Sequence, residues 1–302
     1  METEVWPTMV AQCKRQGMPL CLVNARLSEK SLASAERLAW LSRPAYAGLH
    51  GVWAQTAADA QRLSRLGAPV RGVTGNFKFD AQPDAAQLAL GRAWQKSIPV
   101  GRAQVRPVVL FASSREGEEH LLLDVLQQQR AKAEAFANVQ WLVVPRHPQR
   151  FAEVQTLFAS AGFTVACRST WRDGPTDADI WLGDSMGEMA VYFGMAQLAL
   201  LGGSFAPLGG QNLIEAAACA CPVITGPHTF NFEEAAANAV QASAAIRVAD
   251  MARAVQCALD YVARPVELAQ LQQRALAWSQ QHRGAADRTV QAIVPLISPT
   301  AG

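Results

Sequence analysis

The sequence lacks the cysteine and histidine patterns that build disulfide frameworks and zinc sites. Its 302 residues include six Cys and five His, with no Cys-x-x-Cys pair and no cluster of His. Cys219 and Cys221 flank an apolar helix–strand junction, where small core residues are expected. These patterns disfavour a disulfide-rich secreted scaffold and a zinc domain, and they make a reducing, cytosolic compartment the default expectation.

The sequence also has little that would indicate a membrane span or a common nucleotide-binding loop. No apolar run approaches the roughly 20 residues that cross a bilayer. Neither a GxxxxGK[ST] loop nor a GxGxxG loop follows an expected strand, which disfavours a nucleoside triphosphatase or a dinucleotide-dependent enzyme. An acidic DxD-type cluster, a common way to hold a metal beside a diphosphate, is absent from the glycine-rich region around residues 202–215.

The chain as a whole has little net charge of either sign, since its formal net charge is +2. The distribution is uneven, however. Residues 1–106 hold 14 Lys and Arg but 7 Asp and Glu, whereas residues 107–302 hold 13 and 18. The first part is therefore expected to meet an anionic partner, although random variation along the surface would also give such a pattern.

Short apolar runs alternate with amphipathic stretches, which predicts a parallel, doubly wound α/β fold. The expected strands are 18–24, 51–55, 71–74, 107–112, 139–144, 164–167 and 180–183. The expected helices are 8–17, 28–42, 56–66, 84–94, 118–133, 150–162, 251–263 and 266–294, the last broken at Gly284. The expected domains are 1–80, a linker at 81–106, a second domain at 107–280, and a C-terminal helix at 281–302 that could cross back to the first domain.

The most informative stretch, residues 183–232, combines two Gly-Gly pairs with an expected strand and an expected helix start. A functional interpretation is a nucleotide-sugar site. Glycines allow close backbone approach and the helix start offers N–H groups to a phosphate. Asn212 would add a side-chain donor, and Glu215 could accept from both hydroxyls of a ribose. The alternative is a plain loop with a capping Asn and a solvated Glu.

Two further expected strands are each followed, within three residues, by an arginine. Arg146-His147-Pro148 follows WLVV, and an Arg fixed beside prolines suits recognition of phosphate or carboxylate. Arg115 lies in SSREGEE, where capping would explain the Ser and Glu residues but not the Arg. A surface Arg beside a turn is the alternative for Arg146, and His147 is more simply structural.

Two acidic segments complete the candidate set. In Met186-Gly187-Glu188, the glycine would let main-chain groups approach a base edge, although an ordinary helix start is equally compatible. Glu2 and Glu4 precede Trp-Pro; they could orient a sugar hydroxyl or be solvated loop residues.

Taken together and in order, several segments resemble the 3-deoxy-D-manno-octulosonic acid (Kdo) transferases of lipopolysaccharide synthesis. The resemblance runs from residue 1 to about residue 238. It is carried by METEVWP, LVNARLSEKS, TGNFKFD, ASSREGEE, VPRHPQRF, GDSMGEM, LGGSFAPLGGQNLIEAA and GPHTFNF. It implies a GT-B fold of two Rossmann-like domains, the N-terminal one incomplete. It also implies inverting transfer of Kdo from CMP-Kdo to a lipid A precursor (lipid IVA) at the cytoplasmic face of the bacterial inner membrane.

The resemblance assigns roles to individual residues. Glu215 would take the ribose, Gly187 and its neighbours would lie near the cytosine, and Arg146 and Asn212 would serve the phosphate or the Kdo carboxylate. The glycine-rich loop would shape the pocket. The full donor-binding set is Arg115, Arg146, Met186, Gly187, Glu188, Gly202, Gly203, Ser204, Gly210, Gln211, Asn212 and Glu215. The donor is a substrate; no cofactor, metal or nucleic-acid partner is expected, and the anionic membrane surface is an expected partner.

The chain departs from the family pattern in two places. Gln211 and Leu213 stand where many members have His and Pro, although Gln211 keeps a hydrogen-bond donor. Members also carry an anchor, the first Rossmann strands and a Gly-Glu motif with the proposed catalytic base before the segment that METE matches. Glu2 and Glu4 would then be supporting residues only, and the chain alone is expected to transfer little Kdo. Two alternatives stay open: a UDP-using GT-B transferase or epimerase, and an inactive nucleotide-binding remnant.

Overall fold

The computed structural model describes Thr3, residues 5–97, Pro99, residues 104–131 and residues 139–297. The chain forms two units, one from Met1–Ala81 with His282–Gly302 and the other from Gln82–Gln281. The C-terminal segment thus falls within the first unit. The segment interpreted from the sequence as a linker, 81–106, falls almost entirely within the second.

The first unit is built on a parallel sheet of three strands among the described residues, in the order β1-β2-β3. The strands are β1 (Cys21–Ala25), β2 (Gly51–Ala54) and β3 (Val70–Val73). Apolar side chains from the strands and helices form its core, with Leu32, Leu63 and Leu66 almost fully buried. Its helices are α1 (Pro7–Arg15), α2 (Glu29–Arg37), α3 (Ala39–Ala47), α4 (Ala57–Arg65) and, from the C-terminal segment, α13 (Ala285–Ile297).

Two expectations for this unit need correction. The single helix expected over 28–42 is two helices, because Leu38 leaves the helical region (φ −110°, ψ 40°) and the chain restarts at Ala39. The second helix then continues through Pro44, which removes one N–H donor. The strand expected over 18–24, β1, spans only Cys21–Ala25, and its residues are partly buried and partly half-buried.

The second unit contains a sheet of seven parallel strands among the described residues, in the order β10-β9-β8-β4-β5-β7-β6. Phe111, Trp141 and Phe158 are almost fully buried in its core. The strands are β4 (Val108–Ser114), β5 (Gln140–Pro145), β6 (Val165–Cys167), β7 (Ile180–Leu182), β8 (Leu198–Leu201), β9 (Val223–Thr225) and β10 (Ala245–Arg247). These strands confirm the predicted parallel α/β class.

Helices of the second unit pack against this sheet and against each other. Two of these helices, Ala85–Gln95 and Met189–Met195, pack so closely that their contact depends on glycine. A Cβ at Gly91 would lie 2.1 Å from the carbonyl oxygen of Val191. The helices are α5 (Ala85–Gln95), α6 (Glu118–Ala131), α7 (Phe151–Ser160), α8 (Met189–Met195), α9 (Leu213–Ala218), α10 (Glu233–Gln241), α11 (Met251–Val262) and α12 (Pro265–Gln281). None of the helices in the described ranges is both long enough and apolar enough to cross a membrane.

Strand order creates a topological switch point beside β4. From β4 the chain moves to β5 on one side, and it later returns to β8 on the other side. Ligands of open parallel sheets bind beyond the carboxyl ends of the strands at such a point. The loops that follow β4, β5, β7 and β8 are therefore the place to look for a site.

Candidate functional site

The loop after β8 follows the backbone of β4 so closely that it requires glycine. A Cβ at Gly202 would lie 2.1 Å from the carbonyl oxygen of Ser113. The loop then closes on itself, since Gly210 N–H donates to Gly203 O (2.7 Å) and Gln211 N–H donates to Gly202 O (3.0 Å). The two Gly-Gly pairs thus meet, as an anion- or ligand-binding loop at a switch point requires, and they shape the loop through their backbone.

The side chain of Glu118 holds this loop in place through hydrogen bonds, a role that the sequence did not reveal. The residue is fully buried. Its Oε2 accepts from Gly203 N–H (2.7 Å) and Arg115 N–H (2.9 Å), and its Oε1 accepts from Phe205 N–H (2.9 Å) and Ala206 N–H (3.4 Å). Burial raises the pKa of the Glu118 carboxyl, and the four N–H groups oppose that rise. One carboxylate therefore joins the loop after β4 to the loop after β8.

A second buried carboxylate, Glu119, joins the loop after β4 to the turn after β5. Its Oε1 accepts from Ser114 Oγ (2.7 Å) and from Arg150 Nη1 (2.8 Å). Its Oε2 is buried and has no hydrogen-bond partner among the described residues. The expected cap on α6 is thus formed by Glu118 towards Arg115 N–H, while Ser114 serves Glu119 instead.

Arg115 and Arg146 lie at the ends of neighbouring strands. Arg146 N–H donates to Ser114 O (2.9 Å), which holds the two strand ends side by side. Arg115 is half-buried and the side chain of Arg146 is exposed. Two guanidinium groups at adjacent strand ends are a suitable arrangement for an anionic ligand.

Helix α9 is short, and one N–H group at its start is already bonded to a side chain. It begins at Leu213 and spans six residues. Asn212 caps it, with its Oδ1 accepting from Ile214 N–H (3.1 Å). The capping interpretation therefore holds for the Asn212 oxygen, which leaves its amide nitrogen as the group that can donate to a ligand.

Glu215 is half-buried near Arg146. Burial raises the pKa of the Glu215 carboxyl, and the positive charge of Arg146 partly offsets this rise. The alternative of a solvated Glu does not describe this residue. A desolvated carboxylate beside a guanidinium is instead a group available for directed hydrogen bonds.

Ser204 does not face the candidate site, and its role is to stabilise the loop after β8. It is fully buried. Its Oγ donates to Leu201 O (2.5 Å) and accepts from Gly226 N–H (2.8 Å), and its carbonyl oxygen accepts from His228 N–H (3.1 Å). Ser204 thus connects the loop after β8 to the GPHTFNF segment after β9.

The segment after β7 has exposed residues at its centre, whereas the carboxylate of Glu188 is hydrogen-bonded within the protein. Met186 is 60% exposed and Gly187 is exposed with φ +76°. Glu188 Oε1 accepts from Arg168 Nη2 (2.8 Å), and Oε2 accepts from Ser185 Oγ. Glu188 therefore shapes this segment, while the Met186–Gly187 apex is the part that a ligand can meet.

Two of the sequence-based candidates cannot be placed. Glu2 and Glu4 lie outside the described residues. Within the ranges that the structure describes, no three His, Cys, Asp or Glu side chains come together as metal ligands.

Comparison with solved structures places this architecture among the GT-B glycosyltransferases. The C-terminal CMP-Kdo binding domain of WaaA from Acinetobacter baumannii matches with a TM-score of 0.58 and 27% identity, over 65% of this chain and 100% of that domain. Anabaena HepE, solved with UDP and glucose, matches over 96% of this chain and 74% of its own with a TM-score of 0.54; at 15% identity it shows the fold alone. The predicted GT-B class is confirmed.

Sequence comparison identifies the family within that class. The family model described as 3-deoxy-D-manno-octulosonic-acid transferase (kdotransferase) matches residues 1–81. A Bordetella pertussis 3-deoxy-D-manno-octulosonic acid transferase is 44% identical over 97% of this chain and 67% of its own length. A Haemophilus influenzae enzyme of the same name is 32% identical over 86% of this chain and 60% of its own. The chain belongs to the Kdo transferase family and spans about two thirds of the length of these relatives.

Proposed function

We propose that the second unit binds CMP-Kdo as the donor for Kdo transfer in lipopolysaccharide synthesis. The observation that carries this proposal is the match to a CMP-Kdo binding domain over that domain's entire length. The site agrees with such a donor, because it combines two arginines at strand ends with a glycine-shaped loop and a desolvated carboxylate. In this proposal Arg115, Arg146 and the Asn212 amide meet the phosphate and the Kdo carboxylate, and Glu215 meets the ribose.

The proposed reaction is inverting transfer to a lipid A precursor such as lipid IVA. The bond between Kdo and the CMP phosphate oxygen breaks, a bond from an acceptor hydroxyl oxygen to Kdo forms, and the hydroxyl proton passes to a base. CMP leaves as a phosphate monoester, and fixed cationic and N–H donors are suited to stabilising that developing charge without a metal. The proposal for the described residues is donor binding and leaving-group stabilisation; it assigns the base to none of them.

Calorimetric titration of the chain with CMP and with UDP tests the donor assignment. We expect CMP to bind more tightly than UDP, and the affinity for CMP to be the same with and without EDTA. A preference for UDP would overturn the proposal and favour a UDP-sugar transferase or epimerase on the same fold. Loss of CMP binding in EDTA, restored by a divalent cation, would overturn metal independence alone.

The first unit is proposed to meet an anionic membrane surface that presents the acceptor. Basic residues in this unit include Lys14 and Arg15, both exposed, and its exposed apolar side chains include Trp6 (61%) and Trp40 (76%). Aromatic and basic side chains together suit the interface of an anionic bilayer.

Charge reversal tests this contact. Each Lys or Arg near an anionic bilayer contributes about 1 kcal/mol, so loss of three such charges is expected to lower vesicle partitioning by about two orders of magnitude. Replacing Lys14, Arg15 and Arg26 together by Glu should lower it further, because the new carboxylates are repelled by the anionic surface. The measurement is co-sedimentation with phosphatidylcholine vesicles containing phosphatidylglycerol. Reversal of Lys96, Arg172 and Arg253 in the second unit is the control. Equal partitioning of both variants and the unmodified chain would contradict the proposed surface.

A further inference from the structure

A short turn after β6 holds both ends of the exposed segment after β7. Ser169, in the 3₁₀ turn Arg168–Thr170, donates to Asp184 through its N–H (2.8 Å) and its Oγ (2.5 Å). Arg168 donates to Glu188. Asp184 and Glu188 are the two acids that bracket the Met186–Gly187 apex, so this turn fixes the segment at both sides of the part that faces outwards.

Arg168 is itself held in one orientation by aromatic rings. Its guanidinium carbon lies 4.8 Å from the ring centre of Trp94 and 5.9 Å from that of Trp171. Its side chain is only 19% exposed, and that of its partner Glu188 is 25% exposed. Cation–π contact with two indole rings restrains the guanidinium, and the ion pair with Glu188 is shielded more than a surface pair.

Further contacts fix the segment at its centre and at its C-terminal side. Gly187 O accepts from Gln87 Nε2 (3.0 Å) on α5. Ser185 Oγ lies within hydrogen-bond distance of both Glu188 and Tyr192 OH. A Cβ built on Gly187 would meet no described atom within 4 Å, so the space above the apex is open. A segment that is fixed underneath and open above is suited to reading a flat ligand with its main chain.

We propose that Arg168 is a positioning residue that holds the 184–188 segment in the shape that discriminates cytosine from uracil in the donor nucleotide. This inference rests on the proposed CMP-Kdo function of the same unit. Cytosine presents an amino donor where uracil presents a carbonyl acceptor, so discrimination requires peptide groups placed to within hydrogen-bond tolerance. Arg168 acts through Glu188 and touches no nucleotide itself.

The test compares Arg168→Met with Arg172→Met, an exposed arginine of the same loop. Each variant, and the unmodified chain, is titrated calorimetrically with CMP and with UMP. We expect Arg168→Met to lose about tenfold in CMP affinity with little change for UMP, which corresponds to about 1.4 kcal/mol of lost discrimination. Arg168→Lys, which keeps the charge but not the planar fork, should lie between the two. Arg172→Met should behave as the unmodified chain.

The outcomes separate the inference from the function on which it rests. Failure of the unmodified chain to prefer CMP over UMP would overturn the donor assignment. A normal preference in Arg168→Met, or equal loss for both nucleotides, would overturn the positioning role alone. Hydrogen exchange of residues 184–188 without ligand gives a second readout, because Arg168→Met should speed exchange there while Arg172→Met should not; unchanged exchange would also overturn the role.

Discussion

Glu118 shows how much of the proposed donor site depends on a residue that no ligand needs to touch. Its carboxylate accepts four backbone N–H groups from two loops that are more than 80 residues apart in the chain. These N–H groups belong to irregular backbone with no ladder to pair in. Without a buried acceptor they would be left unsatisfied, which costs more than an ordinary hydrogen bond gains.

Replacing Glu118 by Gln should therefore loosen the loop although the side chain keeps its shape. The amide has one acceptor oxygen, so the N–H groups that face its NH₂ lose their partner. We expect a loss of about 2 kcal/mol in the free energy of unfolding, or a melting temperature lower by about 4–8 °C for a unit of this size. Thermal denaturation measures the change, with Glu116→Gln, an exposed neighbour, as the control. Equal melting temperatures for the two variants would show that Glu118 does not hold the loop.

Glu215 gives a prediction of pH dependence. Its pKa is raised above the ordinary value of 4.5 by burial, and Arg146 opposes the rise. If the carboxylate accepts from the ribose hydroxyls, affinity for cytidine should fall on acidification, with a midpoint above pH 4.5. Removing the charge with Arg146→Met should move this midpoint to higher pH, because the remaining burial is then unopposed.

Cytidine titrations between pH 4 and 8 measure this midpoint without interference from a phosphate group. Glu215→Gln is the control, since it retains the titration of the base and removes that of the carboxyl. An unchanged midpoint in Arg146→Met would contradict the coupling. Folding responds with the opposite sign: a folded-state pKa above the unfolded value means that the Glu215 contribution to stability is complete at low pH and declines as pH rises through the folded pKa.

At the scale of the elements, the loop after β8 has no room for a side chain at Gly202. Gly202→Ala would place a methyl group 2.1 Å from the carbonyl oxygen of Ser113, and backbone cannot move aside as a side chain can. We expect a loss of about 1–3 kcal/mol in stability, together with weaker CMP binding. Gly72→Ala on β3 is the matched control, since its nearest described neighbour would be 3.6 Å away. Similar urea midpoints for both variants would refute the close-approach argument.

Local patterns predicted strands β4 to β7, because each was a short apolar run bounded by Gly, Pro or polar residues, whereas α8, α10 and β10 were not predicted. β5 and the turn after it illustrate this, since WLVV and the prolines that follow mark both the strand and its end. The cross-links between elements were not predictable. Whether Glu118 caps its own helix or holds the loop at Gly203 depends on which strands are neighbours. A single sequence does not contain that information until the strand order is known.

The same limit applies to candidates whose side chains also have partners within the protein. Asn212 and Glu188 carry the residue types that a nucleotide site requires, and both lie at the expected strand ends. Their side-chain oxygens nevertheless serve the protein, through the α9 cap and the Arg168 ion pair. Residue type and position predicted which strand ends carry these side chains. Which of their polar atoms are already bonded within the protein could be learned only from the hydrogen-bond network.

At the scale of the whole molecule, the first unit depends on a segment from the far end of the chain. Asp80 accepts from Gly284 N–H (2.5 Å) and Ala285 N–H (3.2 Å) through Oδ1 and from Ala286 N–H (2.6 Å) through Oδ2. Asp80 thus caps α13. Arg288 adds a bond to Thr74 O (3.1 Å), which fastens the helix to the loop after β3.

Replacing Asp80 by Ala should release α13 from the first unit. Loss of a helix cap costs about 0.5–2 kcal/mol, and we expect a value near the upper end because three N–H groups lose their acceptor. Faster hydrogen exchange should appear in residues 284–296 and 74–80, and exchange in β4 and β5 should not change. Asp124→Asn, an exposed substitution on α6, serves as the control. Exchange that increases equally throughout both units would argue against a local role for Asp80.

The joining of the two chain ends in one unit has a consequence for synthesis. Residues 82–281 form the second unit from one continuous stretch, so it has all of its strands once that stretch has left the ribosome. The first unit begins earlier but receives α13 only after the whole of the second unit has been translated. The order in which the units reach their final form during translation is therefore the reverse of their order in the sequence, although domains are usually completed from the N-terminus onwards. Until residues 285–297 have emerged, Asp80 has no helix to cap.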